Sequence, residues 1–254
     1  RDPLQNLASI IEAWCPWGPD EPENNWLQQR TSLKKSTNTL GDTGSKALTG
    51  YSKSLQEKVR RDEPVVLPLI TYLGTSRLWF EGRFTSAAAQ TTLDKTEYSR
   101  TSGYLNCLSY SSSFKTFTAW YGWIYRSYRE AQVIALERNA ELSDLGIRFG
   151  QIIRSIKEAI DRLIQGPTGW HSLEYSESHQ QQLIMHHPEQ GILPVEMLSD
   201  GLRNAIAMVA DLAFRACKLN PHLGDQAPSQ TPGIALIDEV ESPKHSRQRF
   251  TVGY

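Results

Sequence analysis

The run with the clearest chemical potential is Gly233-Ile-Ala-Leu-Ile-Asp238-Glu239, four apolar residues followed by two carboxylates. Such a run reads as a short buried strand, which sets both acids at its carboxyl end. Ligands bind at that end in open α/β sheets. Asp238 is suited there to hold Mg²⁺, usually through water, because that ion prefers hard oxygen ligands. Glu239 is suited to polarise a water that attacks a γ-phosphate. A second run, Leu198-Ser199-Asp200-Gly201-Leu202-Arg203, opens an amphipathic helix with Ser199 at the N-cap. A hydroxyl, a glycine permitting close approach and free backbone N–H groups at a helix start form an anion site. Each run also has a plain reading, a Ser-capped helix and a strand ending in a solvated acidic turn. Their order carries the functional reading: the capped helix comes first, and Glu239 follows Ser199 by 40 residues.

Other clusters are weaker. Gly41-Asp-Thr-Gly44-Ser45-Lys46-Ala47 has two residues between its glycines where a phosphate-wrapping GxxxxGK[ST] loop needs four, and no Ser/Thr follows the lysine. It reads as a connector. His186-His187 fall in an expected strand, where adjacent side chains point to opposite faces and do not chelate one ion. Trp120, Tyr121, Trp123, Tyr125 and Tyr128, with Arg126 and Arg129, fit either base stacking or a packed helical lobe. Arg77 and Arg83 follow an apolar strand-like run and are candidates for a phosphate or nucleic-acid contact. Residues 28–61 carry eight bases against two acids, a surplus that either meets phosphates or keeps a helix in water.

The elements that would position these groups follow from periodicity. Leu4, Leu7, Ile10, Ile11 and Trp14 have helical spacing, ended by Pro16, and residues 24–62 read as helix broken between Ser36 and Ser45. Residues 65–73 read as a buried strand closed by Gly74, and residues 85–113 as loops and short helices. Residues 114–140 read as an aromatic helix. Ile147, Ile152, Ile153, Ile156, Ile160, Leu163 and Ile164 mark an amphipathic helix ended by Gly166-Pro167. Residues 170–187 read as an antiparallel pair, and Leu202, Ile206, Val209, Leu212, Ala213 and Ala216 as another helix.

The chain has 254 residues, a net charge of −1, 39% hydrophobic residues and a mean hydropathy of −0.46, so no global field draws it to nucleic acid or a membrane. No apolar run approaches the ~20 residues of a membrane span, and residues 1–27 lack the pattern of a signal peptide. Cys15, Cys107 and Cys217 are odd in number and far apart, which excludes a disulfide framework and a CxxC metal site. A reducing, cytoplasmic setting is expected.

Four segments carry a resemblance: LPLITYLGTSRLW (67–79), RTSGYLNCLSYSSSFKTFTAWY (100–121), LPVEMLSDGLRNAIAMVADLAFRA (193–216) and TPGIALIDEVE (231–241). They resemble the ABC-type AAA ATPases related to RecF and SMC heads, and within these the ATPase subunits of Septu-type and retron-associated antiphage systems. The resemblance implies an α/β head, a mixed sheet with flanking helices, carrying a helical and antiparallel insertion. Residues 1–64 would be a helical segment, 65–192 a strand with the insertion, and 193–254 the signature helix and Walker B strand. ATP and Mg²⁺ would be the cofactors, with Asp238 on the metal and Glu239 as base. Ser199, Asp200 and Gly201 would read the γ-phosphate held by the opposite subunit of a homodimer. The implied partners are an HNH-type nuclease and, in retron forms, a reverse transcriptase with its RNA–DNA hybrid. The P-loop lobe would precede Arg1, which is not a Met. No D-loop is identifiable after Glu241, and His245 is the one candidate for the switch histidine. Two alternatives stay open: a non-hydrolysing, ATP-bound scaffold for nuclease and nucleic acid, and a RecF/SMC-like DNA-repair ATPase.

Overall fold

The structure, a computed structural model, describes residues 9–16, 23–30, 39–41, 43–73, 99–108 and 114–237. The chain divides into two units, Arg1–Val65 and Val66–Tyr254. In the first, strands β1 (Ser9–Pro16), β2 (Glu23–Arg30) and β3 (Thr39–Gly41) form an antiparallel sheet in that order. The β1–β2 register runs from Ser9↔Arg30 to Pro16↔Glu23. Helix α1 (Thr43–Arg60) follows, and the Ser45 hydroxyl donates to the Leu27 carbonyl of β2 at 2.7 Å. Leu48, Tyr51, Leu55 and Val59 lie half-buried along α1, while Lys46, Lys53 and Arg60 are exposed.

This corrects the helical reading of residues 9–30. The run 17–22 between the two strands is rich in Gly, Pro and Asp. An apolar run, Ser9–Pro16, and a polar one, Glu23–Arg30 with Trp26 and Leu27, flank these turn formers and pair as a hairpin, and sheet pairing overrides a helical spacing that rests on a few residues. The expected helix survives only as α1. Leu4, Leu7 and residues 74–98, with Arg77 and Arg83, lie outside the described residues.

The second unit is mixed α/β. Strand β4 (Leu69–Leu73) pairs in parallel with β8 (Gly233–Ile237), from Leu69↔Gly233 to Leu73↔Ile237. Between them come helices α2 (Phe114–Glu137) and α3 (Asp144–Thr168), then the antiparallel sheet β5 (His171–Ser176), β6 (Gln182–His187) and β7 (Gly191–Pro194). Helix α4 (Asp200–Leu219), a 3₁₀ turn at Pro221–Gln226 and the single turn α5 (Ala227–Gln230) lead into β8. The antiparallel pair expected over 170–187 is present, and β7 adds a third strand to it.

Residues of α2, α3, α4 and the antiparallel sheet share one core. Phe149, Ile153, Ile156, Ile160 and Ile164 form the buried stripe of α3, whereas Ile147 is exposed. Helix α3 starts at Ser143, whose hydroxyl accepts from Gly146 N–H at 3.2 Å. A Cβ on Gly146 would come within 2.9 Å of Ala131 Cβ, so glycine lets α3 approach α2 there. The helix runs through Gly166 and Pro167, where a stop is expected, to a left-handed cap at Gly169 (φ 79°). Proline near a C-terminus forfeits one hydrogen bond, which the last turn tolerates. The aromatic run proves to be packing. Trp120, Tyr121 and Tyr125 are buried, and Arg126 and Arg129 lie over the rings of Tyr175 and Tyr125 at 5.4 and 5.5 Å.

Strand β8 departs from its expected burial. Helix α4 packs on β4, and in parallel register Ile70 and Ile234 share the opposite face. Ile234 is 56% exposed and Leu236 54%, because no described element covers β8. A Cβ on Gly233 would collide with the Leu69 carbonyl oxygen, so glycine permits the close approach that starts the pair.

Candidate functional site

The start of helix α4 holds the first of the candidate site residues, Ser199, Asp200 and Gly201. Ser199 takes the N-cap position with an extended backbone (φ −61°, ψ 153°), and its carbonyl accepts from Arg203 N–H at 2.9 Å. Its side chain does not cap. The exposed hydroxyl makes no hydrogen bond to any described residue, unlike Ser143 on α3. A Cβ on Gly201 would meet nothing within 4 Å, so the backbone there is open to close approach. The first N–H groups of an α-helix have no partners within it and, with the helix dipole, favour an anion. Asp200 would oppose one, but its carboxylate is paired with Arg203, whose Nη1 also donates to the Glu196 carbonyl at 3.2 Å. Arg203 thereby offsets the acid and ties the 3₁₀ turn Val195–Met197 to the helix start. The Asp200–Arg203 spacing of three residues is the sequence signal that could have found this pair.

Asp238 and Glu239 lie outside the described residues, as does His245. They follow β8 directly in sequence, and β8 starts at the far end of α4. The structure therefore brings Ser199, Asp200 and Gly201 together and places α4, about 30 Å long by helical rise, between them and the foot of β8. Among the described residues no three His, Cys, Asp or Glu side chains gather as metal ligands. Lys46, from the rejected glycine-containing stretch, is exposed on α1. Among the described residues no helix is long and apolar enough to cross a membrane.

Sequence reasoning missed a second polar cluster on the antiparallel sheet. Lys157 Nζ of α3 donates to Glu174 Oε1 of β5 at 2.8 Å, and His186 Nε2 of β6 lies 3.4 Å from Glu174 Oε2. His187 instead sits against Trp170 and the Thr168 carbonyl, so the two histidines do serve different neighbours. Burial pushes the Glu174 carboxyl up, but the hydrogen bond and charge of Lys157, helped by His186, outweigh this and hold it below its usual range. A carboxyl lowered on folding adds stability above its unfolded pKa and loses it as pH falls through the folded value. Glu174→Gln should therefore cost about 1 kcal/mol near neutral pH, modest because the pair is partly solvated. Urea midpoints should show the gap closing below about pH 4. A gap that stays constant with pH would contradict this.

No protein-family model matches the chain, and comparison with curated proteins finds no match either.

Proposed function

We propose that the chain is an ABC-type ATPase subunit that works as a homodimer and controls a partner nuclease, as in Septu- or retron-like antiphage complexes. The observation that supports it best is one ordered unit. The turn Ser199-Asp200-Gly201 opens α4 with its hydroxyl uncommitted, and α4 leads into β8, a parallel strand that runs directly into Asp238-Glu239. The donor set at α4 fits a phosphate: a free hydroxyl, unblocked backbone N–H groups and an acid already paired with Arg203. In this reading Ser199 and Gly201 hold the γ-phosphate bound by the opposite subunit. Asp238 would hold Mg²⁺, which screens phosphate charge when bound. Glu239 takes the proton of the attacking water. An HNH-type nuclease, and a reverse transcriptase with its RNA–DNA hybrid, are the partners this reading names.

Ser199→Arg in the full-length protein tests the reading. Arginine puts a bulky cation where the trans phosphate sits. ATP binding by each subunit should persist, read by calorimetry, while ATP-dependent pairing and turnover fall together. If pairing and turnover both stay at the wild-type level, Ser199 is a helix cap and nothing more.

A further inference from the structure

The end of α4 carries a side chain that joins the elements on which the proposed site depends. Asn220 is fully buried, one residue past Leu219. Its Oδ1 accepts from Leu67 N–H at 2.7 Å, and its Nδ2 donates to the Leu67 carbonyl at 2.9 Å. The amide thus pairs with the backbone as a neighbouring strand would, two residues before β4 begins. The same Nδ2 donates to Thr231 Oγ1 at 2.9 Å, two residues before β8 begins. Arg100 adds a bond from Nη2 to Asn220 Oδ1 at 3.3 Å and one from Nε to the Leu219 carbonyl at 2.8 Å. The ladder starts just beyond, where Leu69 N–H donates to the Pro232 carbonyl at 2.8 Å.

We infer that Asn220 is a positioning residue: its side-chain amide sets the phase of β8 against β4 and α4, and β8 is the strand that leads in sequence into Asp238-Glu239. This rests on the ATPase reading above. The physical case is that, among the described residues, β8 is held by its ladder to β4 and, just before it, by the Leu69–Pro232 bond and the Thr231 N–H to Ala227 carbonyl bond at 3.1 Å, with nothing packed on its faces. It is exposed along its length, with β4 its one described strand neighbour, so apolar packing among the described residues does not fix its position along β4. A strand in that condition slips in register unless something at its start pins it. Among the described residues the Asn220–Thr231 bond is the side-chain pin that reaches this start from α4, beside the backbone bond from Thr231 N–H to the Ala227 carbonyl. Displacements of ~1 Å at a catalytic group cost on the order of 10²-fold in rate, so a small slip is enough to matter.

The test uses the full-length protein, with kcat and KM for ATP and amide hydrogen exchange of Ile234–Ile237 as readouts. Thr231→Val removes the acceptor with almost no change of volume, and Thr231→Ser restores it. Asn220→Asp keeps Oδ1 and loses both Nδ2 donations. Thr231→Val and Asn220→Asp should lower kcat about tenfold or more, leave the KM for ATP within about threefold, and speed exchange in β8. Thr231→Ser should behave as wild type. The valine variant keeps the test valid if Asn220→Asp fails to fold. An active wild-type protein whose Thr231→Val variant keeps full kcat would overturn the positioning role and leave the ATPase reading intact. A wild-type protein that turns over no ATP would overturn the ATPase reading, and this inference with it.

Discussion

Glu239→Gln is expected to leave ATP bound and to slow its hydrolysis about 10²–10⁴-fold, the usual loss when a positioned general base is removed. That corresponds to about 3–5 kcal/mol of transition-state stabilisation. Glutamine keeps the size and polarity of the side chain but accepts no proton at the attacking water. The loss should therefore fall on kcat, while affinity, which depends on phosphate contacts elsewhere, changes little. The neighbouring Asp238→Asn behaves differently in this account: it should raise the Mg²⁺ concentration needed for half-maximal turnover. Wild-type turnover in Glu239→Gln would remove Glu239 from the role of base.

The largest stability effect is expected in the aromatic core of α2. Trp120 is 1% exposed, meets Phe214 edge-on at a centroid distance of 4.6 Å and lies 6.0 Å from the buried Lys218 ammonium. Trp120→Ala should destabilise the protein by about 3–5 kcal/mol through lost burial and the cavity left behind. Loss of the ring facing Lys218 adds to this. One term runs the other way. The buried indole N–H finds no acceptor among the described residues, so its removal relieves a penalty of about 1–3 kcal/mol. Trp120→Phe separates the two, since it keeps most of the packing and deletes the N–H. It should cost far less than alanine. Denaturant midpoints measure both. The rival idea, that these aromatics stack on bases, gives the opposite pattern: Trp120→Ala would weaken nucleic-acid binding and leave the midpoint unchanged.

Sequence and structure agree where one local pattern decides an element. Five buried apolar positions from Phe149 to Ile164 repeat at helical spacing, and the Leu202–Ala216 stretch does the same, so α3 and α4 are visible without tertiary information. Strands β1 and β2 were hidden because Ile10, Ile11 and Trp14 satisfy a helical spacing equally well, and their pairing with Glu23–Arg30 is not local. Strand β7 has only four residues, one a glycine and one a proline, and gives no alternation to read. The apolar content of β8 signals a strand but not its environment: the same residues suit a sheet covered on both faces and one open on both. At the site, Ser199 was legible as a cap position, but its unused hydroxyl depends on side-chain geometry. Asn220 had no signal. One asparagine after a helix resembles any C-terminal cap, and its link to Leu67 spans 153 residues.

The central claim is that Ser199 and Glu239 serve one ATP site from two subunits. Its most direct test is ATP turnover by mixed dimers of the full-length protein, formed by co-expressing Ser199→Arg and Glu239→Gln chains. Each variant alone should be nearly inactive. In a mixed dimer, one of the two sites combines the intact Glu239 of the first chain with the intact Ser199 of the second, so turnover should return to a substantial fraction of wild type. Mixed dimers as inactive as either parent, beside an active wild type, would contradict a shared site, and an inactive wild type would contradict the ATPase itself.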